Sequence, residues 1–271
     1  MRRLGALAIA LLALAGFAAV AALPSRAART STTTSTTPAT TTATTTTTTS
    51  AQPKRKRLTS GRRSARVETA FPAAGSLLVS RIPVRRTPSP HGRVIKVLHY
   101  FRSDYRVQEI FAVRKRMGAD HEVWYRISIP MRPNGTYGWI PAAAVKLAPT
   151  GSRIIVHIGA RTIDVYRHGR HVVHAAVAVG APGRETPRGH FYVTARFVPY
   201  HDPFLGVFAV ETSAYSRLTE WPGGGIVGIH GTDMPWLIGK AVSHGCVRVA
   251  NQTAKELRRY APLGTPILIT G

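Results

Sequence analysis

Residues 228–251, GIHGTDMPWLIGKAVSHGCVRVAN, decide how the rest of this chain is read. They hold His230, His244 and the only cysteine of the sequence, Cys246. A free cysteine is often no more than a small buried apolar residue. The neighbours here argue against that role, because Ser243, His244 and Gly245 precede the thiol and Arg248 follows it, which is poor material for an apolar core. The glycines around it let backbone approach a reacting group closely.

Downstream of the cysteine the sequence predicts the only well-marked helix. Asn251 is placed to cap it, Ala254, Leu257 and Ala261 form its apolar stripe, and Pro262 stops it. A strand over 266–270 follows. Upstream, 153–157, 162–166 and 171–179 alternate apolar with polar residues and predict an antiparallel meander. Further strands are expected at 190–197, 208–211 and 226–229, the last ending at His230, while 235–241 reads as irregular. The fold class of this region, residues 150–271, is therefore mostly β with one main helix.

Residues 71–149 read as a separate small β domain. Short β-prone runs at 77–79, 94–98, 107–111, 123–127 and 137–140 are punctuated by Pro83, by 88–92, by 118–120 and by 133–135. The order 84–89 (VRRTPS), an alternating strand, 124–127 (WYRI) and 138–141 (GWIP) resembles bacterial SH3-like domains of wall proteins. That resemblance implies a small β-barrel acting as a wall-binding or spacer module.

The N-terminus speaks to compartment. Arg2 and Arg3 precede an apolar run from Leu4 to Leu23, so residues 1–25 are expected to be a signal peptide or a membrane anchor, with everything after them exported to the cell envelope. Residues 26–70 are expected to be a disordered linker, first Thr-rich, then basic at 54–66. Net charge is +25, from 37 Lys and Arg against 12 Asp and Glu. Such an excess suits anionic wall polymer or a membrane surface and is also what GC-rich codon usage produces. A nucleic-acid partner is excluded because the basic run lies in an exported segment.

In an exported protein a single cysteine has no intramolecular disulfide partner, and an exposed thiol oxidises, so it is retained either by deep burial or by use. An unperturbed thiol is a few per cent thiolate at neutral pH, and a nearby imidazolium would raise that fraction. His230, at a strand end, is the candidate base, and His244 points to the other side of an extended loop. The N–H groups of Gly245 and Cys246 are candidate oxyanion donors. A zinc site from His230, His244 and Cys246 lacks a fourth ligand. A papain-like peptidase places its Cys before its His, the reverse of the order here.

His230-Gly231, then 243–248 (SHGCVR), the turn 186–191 (TPRGHF) and 264–266 (GTP) together resemble the YkuD-type L,D-transpeptidases, over roughly 152–271. The resemblance implies that Cys246 attacks the peptide stem of peptidoglycan, cleaving a tetrapeptide between its diamino acid and terminal D-alanine. By position it makes Cys246 the nucleophile and His230 the base, oriented by the carbonyl of Gly231. Ser243, His244 and Gly245 would shape the pocket and oxyanion site, and Arg248 would steady the loop or meet a substrate carboxylate. A tyrosine lining the pocket in some members has no motif match; Tyr215 is the candidate. No metal or organic cofactor is implied. The alternative is a non-catalytic envelope-binding protein.

Overall fold

A computed structural model of the chain describes residues 70–220 and 222–271. The export segment expected at 1–25 and, apart from Ala70, the linker expected at 26–70 lie outside the described residues.

The first β region runs β1 (Ala73–Leu77), β2 (Arg81–Arg85), β3 (Val94–His99), β4 (Glu109–Met117), β5 (Val123–Ser128), β6 (Tyr137–Pro141) and β7 (Val145–Pro149). The spatial order is β3-β2-β6-β5-β4-β1-β7, with every pair antiparallel. Leu77, Val84, Leu98, Ile110, Ile127 and Ile140 form its core. Pro83, expected to punctuate the strands, lies inside β2. The proline is accommodated because β2 pairs fully with β3 but meets β6 only at Arg85–Trp139.

The second region comprises β8 (Ser152–His157), β9 (Thr162–Arg167), β10 (Arg170–Gly180), β11 (Gly189–Phe197), β12 (Ala209–Tyr215), β13 (Ile226–His230), β14 (Ala241–Ser243), β15 (Val247–Val249), helix α1 (Asn251–Tyr260) and β16 (Pro266–Thr270). Its sheet order is β14-β10-β15-β13-β12-β11-β16-β8-β9, and a further pairing of β9 with β10 closes the sheet into a barrel-like ring. β10 can serve both ends because it is long. Residues 170–176 pair with β9, and 177–180 pair with β15 and β14. Ile154, Ile163, Val177, Val193, Ile229, Val247 and Ile267 fill the interior. Ala254, Leu257 and Ala261, the expected helix stripe, pack onto this core and are buried. The expected meander β8-β9-β10 is antiparallel, as read. The helix cap is not as read. Ala250 occupies the N-cap with no side-chain bond, and Asn251 begins the helix and bonds elsewhere.

The two β regions share buried contacts. Phe111 of β4 stacks on Tyr192 of β11 with centroids 4.8 Å apart, and the Tyr192 hydroxyl donates to the Glu109 carbonyl at 3.4 Å. The Glu109 side chain is buried, and burial pushes its carboxyl up from 4.5 to about 7. Between those values the folded protein holds a proton that the unfolded chain has released. Stability is therefore fully present below about pH 4.5 and declines as pH rises through 7. Glu109→Gln is expected to be near neutral at pH 4 and to stabilise by about 1–3 kcal/mol at pH 8. Urea denaturation at the two pH values measures this, and equal effects at both would contradict a buried uncompensated carboxyl.

Candidate active site

Parallel pairing of β13 with β15 builds the centre of the site. Its register sets Ile229 beside Val247 and His230 beside Arg248, which brings Gly228 next to Cys246. Side chains alternate along a strand, so His230 and Cys246 emerge on the same face. They open into one cavity of about 360 Å³, walled also by Phe197, Asp202, Phe204 and Gly228. Gly228 keeps the space between the two reactive groups clear. A Cβ there would lie 3.6 Å from the His230 ring and 4.0 Å from Cys246 Sγ. A larger groove of about 900 Å³, along Arg132, Glu185, Arg188 and Arg217, contains neither Cys246 nor His230 and so lacks the chemistry.

His230 is 1% exposed, and its Nδ1 donates to the Gly231 carbonyl at 2.6 Å. That bond assigns the proton to Nδ1 and leaves Nε2 as a lone-pair acceptor. Nε2 is buried and has no hydrogen-bond partner among the described residues. Burial lowers the imidazole to about 4; the Gly231 bond opposes this and the Arg248 charge adds to it. Cys246 is half-buried and lines the same cavity. Burial raises its thiol, against a Gly228 N–H donated to Sγ at 3.3 Å and the nearby Arg248. The resting pair is therefore neutral thiol and neutral imidazole, not the imidazolium-stabilised thiolate that the residue types alone suggested.

The turn before Cys246 is held by Ser243, whose hydroxyl donates to the Cys246 carbonyl at 2.6 Å and accepts the Gly245 N–H at 3.1 Å. Gly245 has φ of 117°, a region that favours glycine. Its N–H, expected to face an oxyanion, is engaged by Ser243. His244 was expected to shape the pocket. Its ring bonds the Arg184 guanidinium and is not part of the cavity wall around Cys246. Arg248 is 5% exposed, and its guanidinium lies over Phe204 at 4.4 Å. That contact ties Arg248 to the Phe204 loop.

Phe204 was not singled out in the sequence. It lies between Arg248 and His230, its ring 5.8 Å from the imidazole, in a loop with no apolar period to mark it. Asn251 is the first residue of the helix and not its cap. Its side-chain oxygen accepts the N–H groups of Val207 and Thr232, each at 3.2 Å, tying the Phe204 loop to the chain leaving His230. Tyr215 is outside the Cys246 cavity. Its hydroxyl donates to the Pro130 carbonyl at 3.3 Å, and its backbone exchanges bonds with Asn134. Beside it, the Arg132 guanidinium donates to the carbonyls of Ser216, Leu218 and Gly224, so the first β region grips the loop that brings Gly223 to the cavity wall.

Residues 151–269 match the YkuD family, described as the L,D-transpeptidase catalytic domain. Residues 151–269 are thus similar to a YkuD-type L,D-transpeptidase catalytic domain. Among curated relatives, a putative L,D-transpeptidase YkuD of Bacillus licheniformis is 37% identical over 118 residues, covering 44% of this chain and 65% of that protein. L,D-transpeptidase 1 of Mycobacterium tuberculosis is 25% identical over 182 residues, covering 54% of this chain and 70% of that protein. The chain thus spans just under two thirds of the length of the Bacillus relative. Among solved structures, an L,D-transpeptidase from Mycobacterium smegmatis is similar at 17% identity with a TM-score of 0.38, covering 56% of this chain and 91% of that one. Within the matched domain lie all the residues singled out in the sequence for chemistry: His230, Gly231, Ser243, His244, Gly245, Cys246 and Arg248.

Proposed function

We propose that this chain is an exported cysteine L,D-transpeptidase that remodels or cross-links peptidoglycan through a Cys246 thioester. The observation that carries the reading is the buried, unpartnered Nε2 of His230 in the cavity that holds Cys246 Sγ, with Nδ1 fixed on Gly231. His230 Nε2 takes the thiol proton as sulfur attacks the carbonyl of the diamino acid, and the Cys246 N–H meets the developing oxyanion. The amide C–N bond then breaks, and His230 returns the proton to the departing amine of D-alanine. An amine of a second stem attacks the thioester, losing its proton to His230, and the thiolate leaves and is reprotonated. Each step moves one proton between groups already in place, so none calls on a metal or redox partner.

Residues 71–149 serve on this reading as a wall-binding or spacer module, and the basic linker as a tether to anionic wall polymer or membrane surface. The test supplies purified protein with a tetrapeptide stem and, separately, with a carbapenem-type β-lactam. The expected results are D-alanine release and a single covalent adduct by intact mass. Wall-polymer binding with neither release nor adduct would replace this reading with that of a non-catalytic envelope-binding protein.

A further inference from the structure

Apart from the Cys246 cavity, three histidines gather around one aspartate on the outer face of the ring. Strands β8, β9 and β10 turn Ile154, Val156, Ile163 and Val165 inward, so Asp164, between the last two, points outward. An outward carboxylate is ordinarily solvated. Asp164 is only 9% exposed because imidazoles surround it. His171 Nε2 lies 2.7 Å and His174 Nδ1 2.8 Å from Oδ1, and His157 Nε2 lies 3.2 Å from Oδ2. Asp164 and His174 are direct partners across β9 and β10. His171 is stacked on Tyr166 at 4.9 Å, which restricts its ring.

We propose that Asp164, His171 and His174, with His157 on the second carboxylate oxygen, form a binding site for a divalent transition metal ion, zinc being the reference case. One ligand atom from each of the first three lies within 4.8 Å of the others. Tetrahedral zinc, with bonds of about 2.0–2.2 Å, needs its ligand atoms a little over 3 Å apart. The adjustment required falls mainly on His174, whose side chain is 61% exposed, while His171 is held by its stack on Tyr166. Imidazole nitrogen with one carboxylate oxygen is a donor set for zinc, cobalt, nickel or copper and a poor one for calcium or magnesium. A change of tautomer turns each nitrogen that now faces Oδ1 from donor to lone pair. His157 then either completes the coordination or orients the carboxylate from behind. The ion would bridge β9 and β10, the pairing that closes the ring, and so act as a staple at its seam.

The sequence shows no ligand spacing here. The four residues spread over 157–174 on three strands, and only the register assembles them.

The test uses the untagged full chain carrying Cys246→Ser, which removes the thiol as a competing ligand. Calorimetric titration with zinc is expected to show one equivalent bound with micromolar or tighter Kd, and cobalt(II) to develop visible ligand-field bands. Zinc is also expected to raise the melting temperature. The double variant His171→Ala/His174→Ala is expected to weaken binding at least 100-fold and to abolish the cobalt bands, and Asp164→Asn to weaken binding at least tenfold. Absence of binding in the parent, or binding that the double variant leaves unchanged, overturns the proposal. Circular dichroism confirms that each variant is folded.

Discussion

Cys246→Ala is expected to abolish D-alanine release and adduct formation, and His230→Gln to slow acylation by about 10²–10⁴-fold. The two effects differ because removing the thiol removes the bond that forms, whereas glutamine removes only the group that accepts the proton. The pH dependence distinguishes this arrangement from a preformed ion pair. Burial holds His230 near 4, so charging it in the free site costs roughly 3 kcal/mol relative to an imidazole in water. The base therefore stays neutral and available well below the usual histidine range. The acid limb of kcat/KM is expected nearer pH 4 than 6.5, and the parent is expected to show no thiolate absorbance at pH 7. An acid limb at 6.5 together with a strong thiolate signal would instead mean that the imidazole is charged before substrate arrives. The same shift acts on stability. A histidine depressed on folding contributes stability that is whole above about 6.5 and is lost as pH falls toward 4, because the unfolded chain binds the proton first. His230→Gln removes that acid sensitivity, so a stability profile unchanged by the substitution would argue that His230 is not held neutral.

That His230 and Cys246 belong together was legible in the sequence, because they sit 16 residues apart in one stretch rich in glycine and small polar residues, and they line one cavity. Most strands were legible too, since their inward and outward residues alternate, and the helix was marked by Ala254, Leu257 and Ala261. What could not be read was pairing between strands distant in sequence or running parallel. The β13–β15 register sets the relation of His230 to Cys246, yet β15 spans only Val247–Val249, too short to show a period. β14 was hidden in the same way. Asn251 illustrates another limit. Its type and place before an apolar run are those of a cap, but two N–H groups from remote loops compete for its oxygen and win. Phe204 and the cluster around Asp164 share this character, their roles existing only once loops and strands are assembled.

Gly231→Ala is expected to destabilise the fold by about 2–4 kcal/mol and to reduce acylation in the fraction that remains folded. The reason is space, not backbone conformation. A Cβ on Gly231 would collide with the side-chain oxygen of Asn251 and press on Gly206 Cα and Val207 N, both at 3.1 Å. The backbone of Gly206 has little room to retreat, since its φ of 66° is suited to glycine and its own missing Cβ would meet the same Asn251 oxygen. Asn251 cannot swing away without releasing the exposed Val207 N–H bond, worth about 0.5–1.5 kcal/mol, and the part-buried Thr232 N–H, whose loss costs about 1–3 kcal/mol. Displacement of Gly231 also moves the carbonyl that fixes the His230 tautomer. The loss should therefore reach chemistry as well as stability. A double-mutant cycle separates this from general disruption. Asn251→Ala alone is expected to destabilise by about 1–3 kcal/mol, but it vacates the space the new methyl needs, so the double variant should be more stable than the sum of the two losses by at least about 1 kcal/mol. Strict additivity in denaturant melts would show that the two residues do not compete for one volume, and the packing that holds His230 in place would have to be sought elsewhere.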